Sequence, residues 1–171
     1  MKKEMQIILE VSDQAENFYE DAVQLGDHAA YALKARHRSQ MTGLENIAES
    51  TLKSSDVLDY IKRQTARFPY WRQNFPKDLS NQSFNERSKQ SEESDPSNKG
   101  FGERLKLYLE KNLVDKRNAI CSEKRLNISD KTDEGRQSRR RVYLLLIRQF
   151  LRQMVAQYEY RVSFEDRKKG A

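Results

Sequence analysis

The residues of this sequence whose types and spacing could support chemistry are arginines near the C-terminus. The stretch RQSRRRVYLLLIRQFLRQMVAQYEYR, residues 136–161, contains seven arginines and a single acidic residue, Glu159. At about 100° per residue, Arg141, Arg148 and Arg152 fall within one narrow stripe of a helix. Guanidinium groups spaced by helical turns can follow several phosphates, which predicts salt-sensitive and largely sequence-independent binding to a nucleic-acid backbone.

The same helix also has an apolar face. An apolar arc lies beside the arginine stripe and predicts a core-facing surface. Its members are Tyr143, Leu146, Ile147, Phe150, Leu151, Met154, Val155 and Tyr158. The arginines therefore have a competing explanation, in which they form ion pairs with an acidic first helix. The acids of that helix are Glu10, Asp13, Glu16, Glu20 and Asp21.

A second basic patch lies in VLDYIKRQTARFPYWRQ, residues 57–73. Helical spacing predicts that Tyr60, Arg63 and Arg67 share one outer face, with Lys62 nearby. Asp59 precedes Arg63 by four residues, so an intrahelical ion pair is the alternative for Arg63. The position four residues before Arg67 is itself an arginine, which leaves Arg67 as a candidate for an external anion.

Two aromatic residues stand beside a cation just after this patch, in Tyr70, Trp71 and Arg72. Such a group can stack on nucleobases, but the sole tryptophan of a small domain is favoured as a core or interface anchor. Together the patterns predict one set of nucleic-acid-binding residues. The set is Lys34, Arg38, Lys62, Arg63, Arg67, Arg72, Arg139, Arg140, Arg141, Arg148 and Arg152.

Enzymatic chemistry has little support in the sequence. It contains no glycine-rich phosphate loop, nucleophile elbow, HExxH or CxxC pair. His28 and His37 lack nearby carboxylates at metal-ligand spacing, the acidic cluster at residues 92–95 is typical of a solvated charge run, and the lone Cys121 favours a buried, unreactive thiol. We therefore expect no catalytic residue, metal, cofactor or small-molecule substrate.

Composition predicts the fold class. In 171 residues, 36% are hydrophobic and 34% charged, with six glycines and three prolines, which favours a single all-α domain. No apolar run approaches a membrane span, and the N-terminus lacks a signal-peptide pattern, so a cytoplasmic location is expected. The net charge of +6 is unevenly distributed, with two lysines against seven acids in residues 1–27 but seven basic residues against one acid in residues 136–161. Segregated basic charge favours a polyanionic partner.

Periodicity and helix signals predict a bundle of five or six helices. The first is expected over residues 3–25, with Gly26 interrupting the pattern and Asp27 capping a second helix over 28–41. A capping box at residues 42–45 predicts a short helix, and Ser55 is expected to start the next, which Pro69 ends. The first helix is expected to bury Met5, Ile8, Leu9, Ala15, Phe18, Tyr19, Ala22 and Val23.

The second half of the chain divides into a loop and two helical regions. Residues 76–100 are poor in large apolar side chains and predict a flexible polar loop within the domain. Helical periodicity resumes over residues 101–120 and breaks at residues 126–135. A long C-terminal helix over residues 136–161 is predicted to form the backbone of the bundle.

Two stretches resemble a known family. MTGLENIAESTLKSSDVLDYIKRQTAR and RRRVYLLLIRQFLRQMVAQYEYR are similar to the C-terminal portion of the type I-D CRISPR large subunit. In that family the segment is also made as a separate small subunit of the Cascade complex, and a chain that is helical almost from its first residue agrees with internal translation. The resemblance rests on long runs of sequence with a helical pattern, because the family has no catalytic motif.

The resemblance implies a non-enzymatic helical bundle, present in several copies within a guide-RNA effector complex. Its partners would be the backbone and large subunits, further copies of itself, the guide RNA, and the target DNA with its displaced strand. A purely architectural module, which pairs its basic faces with partner proteins, is the alternative. A small nuclease is a third possibility, against which the missing catalytic constellation counts.

Overall fold

The computed structural model of the chain describes residues 2–76 and 99–170, and within these ranges it contains six helices. The first four are α1 (Lys2–Asn17), α2 (Tyr19–Leu33), α3 (Arg38–Ser50) and α4 (Ser54–Arg67). The fifth, α5, comprises the contiguous segments Phe101–Leu107, Tyr108–Asn112 and Leu113–Ile120, of which the middle one is a π-helical turn. The last, α6, spans Asp133–Lys169. Single 3-10 turns cover Ala35–His37 and Pro69–Arg72.

The predicted all-α bundle is confirmed. In the described part of the chain, β-type pairing is limited to an isolated bridge between Asn74 and Gly100. None of the helices described here combines the length and apolarity needed to cross a membrane. The long C-terminal helix is confirmed and extends beyond its predicted range, to 37 residues.

Helix α6 is the central element, because each of the other five helices packs against it. Its predicted apolar arc is confirmed, since all eight members are buried. Phe150 lies in the middle of this arc, and its ring is 5.6 Å from that of Phe18 and 4.4 Å from that of Tyr108. The helical phase that places the arginine stripe beside the core is therefore correct.

The phase predicted for the first helix is wrong in its N-terminal half. Ile7 and Val11 are buried there, whereas Met5 and Leu9 are 58% and 61% exposed. The cause is that apolar residues occur on more than one side of α1, so periodicity could not select the side that meets α6. Ile8 and Tyr19 are also exposed and Val23 is half-buried, while Ala15, Phe18 and Ala22 are buried as predicted.

The predicted helix break at Gly26 is also wrong. Helix α2 continues through this residue, and the chain turns later, at Lys34, which has a φ of 54°. Gly26 instead allows close approach to α6, because a Cβ atom there would lie 2.6 Å from Cβ of Gln157. Asp27 is not a cap; its carboxylate accepts hydrogen bonds from Gln157 and Arg161.

The predicted capping box at residues 42–45 does not start a helix. Thr42 lies inside α3, where its hydroxyl donates a hydrogen bond of 3.3 Å to the carbonyl of Arg38. The next helix starts at Ser54, one residue before its predicted start. The end of α4 before Pro69 is as predicted.

The loop predicted over residues 76–100 falls largely on residues 77–98, which lie outside the described residues. The backbone N–H of Phe101 donates to the carbonyl of Gln73 at 3.2 Å, so the two flanks of this segment meet. These flanks lie against α2, where His28 contacts the rings of Phe75 and Phe101.

Candidate nucleic-acid interface

The outer two arginines of the C-terminal stripe form ion pairs within the protein. Arg141 donates two hydrogen bonds, of 2.8 and 2.6 Å, to one carboxylate oxygen of Glu4 in α1. Arg152 donates to both oxygens of Glu49 in α3, at 2.6 and 2.8 Å, and this pairing lowers the pKa of the Glu49 carboxyl. Both arginine side chains remain about half exposed, at 48% and 51%.

The middle arginine of the stripe completes the end of a neighbouring helix. Arg148 donates to the carbonyl of Ala48 at 2.7 Å and to that of Thr51 at 2.9 Å, at the C-terminus of α3. The last carbonyls of a helix lack intrahelical donors and carry partial negative charge, so a guanidinium there satisfies both needs. Arg148 is therefore a long-range helix cap.

Two further arginines of the predicted set also bind backbone carbonyls. Arg72 donates to the carbonyls of Thr65 and Ala66 at 2.7 and 3.0 Å, which caps the C-terminus of α4. Arg139 donates to the carbonyl of Ile128 and to the side chain of Asn118, and so ties the loop before α6 to α5. The sequence contains no local signal for either role, because each depends on how separate segments pack.

The competing explanation, pairing with the acidic first helix, holds for only one residue of the stripe. Glu4 of α1 is the partner of Arg141, but Glu49 of α3 is the partner of Arg152. Among the five acids that the sequence suggested, Glu10 pairs with Arg125, outside the stripe, and Asp21 accepts a hydrogen bond from the Tyr108 hydroxyl. The remaining three, Asp13, Glu16 and Glu20, are exposed.

Two other predicted cations form ion pairs on the surface. Arg38 lies 3.1 Å from Glu159 of α6, and Lys62 lies 3.7 Å from Asp59. The suggested pair between Asp59 and Arg63 is not formed. Asp59 forms its ion pair with Lys62 instead, which is three residues away and has a more flexible side chain.

The outer face of α4 retains the accessible positive charge. Arg63 and Arg67 are exposed, and neither forms an ion pair with another residue in 2–76 or 99–170. They are one turn apart, about 6 Å along the helix axis. Lys34 and Arg140 are likewise exposed without an ion pair to the described residues, but they lie on separate elements. The α4 face therefore holds the best-placed group of cations for an external anion.

The aromatic residues beside α4 divide into a buried anchor and a surface group. Trp71 is fully buried, as predicted for an anchor, and its indole N–H donates to Oε1 of Gln40 at 2.6 Å. Tyr70 is half-buried and stacks on His37, with ring centroids 3.8 Å apart and an interplanar angle of 7°. Phe68 stacks on the same tyrosine at 5.3 Å.

His28 lies in the core and is held as a neutral ring. Its Nε2–H donates to the carbonyl of Gln73 at 2.8 Å, and Arg104 donates to Nδ1 at 3.2 Å. Burial, together with the positive charge of Arg104, lowers the pKa of His28 to about 4, although the bond to Gln73 partly opposes this. Sequence reasoning missed Arg104, because nothing local links residues 28 and 104.

Cys121 is buried, as predicted, and burial raises the pKa of its thiol. Residues 92–95 lie outside the described residues. Over residues 2–76 and 99–170, no group of three or more histidine, cysteine, aspartate or glutamate side chains is arranged to hold a metal ion.

Comparison of the chain with protein-family models, with curated proteins and with solved structures found no match.

Proposed function

We propose that this protein is a non-enzymatic, nucleic-acid-binding subunit of a CRISPR effector complex of the Cascade type. The observation that carries the proposal is the outer face of α4, where Arg63 and Arg67 are exposed, one turn apart and without ion pairs to the described residues. Two such guanidinium groups can each neutralise a phosphate and release its counterions. The resemblance to the type I-D small subunit supplies the setting, in which the nucleic acid is target DNA, its displaced strand or the guide heteroduplex.

The stripe on α6 has an auxiliary part in this proposal. The pairs Arg141–Glu4 and Arg152–Glu49 are half exposed, and surface ion pairs contribute only about 0–1 kcal/mol. A phosphate can therefore compete with the carboxylate for either arginine. Arg148 and Arg72 are assigned to helix capping, because losing their bonds would leave helix-end carbonyls without donors.

Salt-dependent binding tests the proposal. Replacing Arg63 and Arg67 with Gln should reduce the slope of log K against log salt on duplex DNA by about two, since each phosphate contact contributes about 0.9. The double change Arg141→Gln, Arg152→Gln should reduce it by less. The matched control is Lys124→Gln, Lys131→Gln, which removes the same charge from exposed residues of the loop before α6 and should leave the slope nearly unchanged.

Two results would count against this function. A slope that is equally reduced by the α4 and control variants would mean that only net charge matters. Cleavage of single-stranded or duplex substrates that requires a divalent metal and stops with chelator would show an enzyme.

A second candidate is an architectural module that binds partner subunits, and a specific observation favours it. Met5 and Leu9 of α1 are more than half exposed, next to a C-terminal half of α1 that carries exposed acids. Such an apolar, acidic helix face suits a protein partner better than a phosphate backbone. Binding to effector subunits without any salt-dependent binding to nucleic acid would favour this candidate.

A further inference from the structure

A stack of three aromatic rings lies on the surface beside the α4 cations. This aromatic stack consists of His37, Tyr70 and Phe68, all half-buried, with Tyr70 in contact with both other rings. The imidazole of His37 is nearly parallel to the tyrosine ring at a centroid distance of 3.8 Å. Tyr70 therefore covers one face of the imidazole.

Hydrogen bonds of Gln40 link the aromatic stack to buried residues and hold it in place. The side-chain amide of Gln40 donates to the Tyr70 hydroxyl, and its carbonyl accepts from the indole N–H of the buried Trp71. The backbone carbonyl of Gln40 accepts a further hydrogen bond of 2.9 Å from Tyr60. Ring positions fixed in this way need no ordering when a ligand binds, which is a property of preorganised sites.

Arginines lie close to the aromatic stack in space or in sequence. Partial burial lowers the pKa of His37, and the positive charge of the exposed Arg36 lowers it further. Arg67 directly precedes Phe68 in the sequence, and Arg63 lies one helical turn before Arg67. Flat aromatic faces combined with cations are the two elements with which proteins bind single-stranded nucleic acid.

We propose that the aromatic stack binds an unpaired nucleobase against His37, while Arg63 and Arg67 hold adjacent phosphates. This inference rests on the proposed function and sharpens it, because it assigns the α4 surface to single strands. A planar base would extend the row of rings by one member. Parallel rings beside several cations favour this occupant over an aliphatic protein segment, which could pack against a ring but has no anionic group for the cations.

The test compares three probes of equal length with the full chain: oligothymidylate, an abasic deoxyribose-phosphate oligomer, and a duplex. Oligouridylate is added to distinguish DNA from RNA. Oligothymidylate should bind more tightly than the abasic oligomer, and His37→Ala should weaken oligothymidylate binding about tenfold, or about 1.4 kcal/mol, in the range for one stacked base. The same variant should leave abasic binding unchanged, whereas Arg67→Gln should weaken both.

Two matched variants protect this test from a folding artefact. His37→Phe retains an aromatic ring and should retain the preference for oligothymidylate. Tyr19→Ala removes an exposed aromatic side chain from α2 and should change no probe's affinity. The fluorescence of Trp71, the sole tryptophan, reports through Gln40 whether the aromatic stack stays assembled in each variant.

The inference and the proposed function fail in distinguishable ways. If oligothymidylate and the abasic oligomer bind equally and His37→Ala changes neither, base stacking is wrong while phosphate binding stands. If none of the probes binds in a salt-dependent manner, both are wrong. If His37→Ala instead abolishes binding to an effector subunit, the aromatic stack is a protein-docking surface and the inference is overturned.

Discussion

The arginine stripe on α6 and the outer face of α4 present the same side chain at helical spacing, yet the protein uses them differently. In the stripe, Arg141 and Arg152 meet carboxylates and Arg148 meets carbonyls at the end of α3. On α4, Arg63 and Arg67 project beyond the packed helices and meet no carboxylate of the described chain. Arginine at a regular spacing therefore indicates an available cation only where the neighbouring helix presents no acceptor.

The difference follows from the positions of the two helices. Helix α6 is surrounded by the other five, so even residues at the edge of its apolar arc reach the surfaces of α1 and α3. Helix α4 lies at the periphery, and only its Val57–Ile61 side is buried. The arginines of the central helix bind its neighbours, whereas those of the peripheral helix remain accessible to a partner.

The largest expected effect comes from removing the core that positions both surfaces. Phe150→Ala should lower the free energy of unfolding by about 3–5 kcal/mol, because the ring is fully buried against Phe18 and Tyr108. Gln153→Ala, three residues away, removes one hydrogen bond to Ala15 and should cost about 1 kcal/mol or less. Urea denaturation of the two variants measures this. Equal losses would mean that the stripe does not lie beside the core.

The buried His28 should make the stability of the protein depend on pH, which limits the pH range in which the two surfaces can be compared. The unfolded His28 binds a proton near its ordinary pKa of 6.5, but the folded ring resists protonation until about pH 4. The contribution of the neutral His28 to the free energy of unfolding should therefore be fully present above pH 6.5. It should be lost as the pH decreases toward 4, by about 3 kcal/mol in total. Denaturation at a series of pH values checks this, with His28→Gln as the variant that should lose most of the dependence. A flat profile for the native chain would contradict it.

A smaller effect separates the members of the stripe from one another. Arg148→Gln should destabilise the protein by about 1–3 kcal/mol, because two part-buried carbonyls lose their donor. Arg152→Gln should cost less than about 1 kcal/mol, since it breaks an exposed ion pair. Midpoints of chemical unfolding at low and high salt test both values. If added salt reduced the difference to zero, Arg148 would be acting as a surface charge and not as a cap.

The smallest effect on stability is expected on α4. Arg63→Gln and Arg67→Gln together should change the free energy of unfolding by less than about 0.5 kcal/mol, the usual range for surface substitutions without partners. The triple change of Arg141, Arg148 and Arg152 to Gln should lower the thermal midpoint by several degrees. A thermal shift of similar size for the α4 variant would show that its arginines also have a structural role.

The sequence predicted the architecture best where one periodicity persisted over many residues. The apolar arc of α6 extends for several turns, so its phase and its buried residues were correct. In α1, apolar side chains at Met5, Ile7 and Leu9 are compatible with several faces, and only packing against α6 selects one. Gly26 was misinterpreted for a related reason, because its small size serves contact with another helix and not a local break.

The candidate site was predictable in part. Exposure of Arg63 and Arg67 followed from local spacing, and burial of Trp71 followed from its size and its uniqueness. The capping roles of Arg72 and Arg148 could not be predicted, because a guanidinium has no preference for carboxylate over carbonyl that spacing can reveal. The stacking of His37 on Tyr70 joins residues far apart in sequence and likewise leaves no local pattern.

The reach of Arg148 across the chain also concerns the order in which the protein takes shape during synthesis. Its bonds to Ala48 and Thr51 join residues about 100 positions apart, and α6 is the last of the described helices to leave the ribosome. Until α6 emerges, the carbonyls at the C-terminus of α3 lack the donor that Arg148 supplies, and the earlier helices lack the surface against which they pack. Because contacts at such separation form late and slowly, the helices that precede α6 should stay open until α6 has been synthesised.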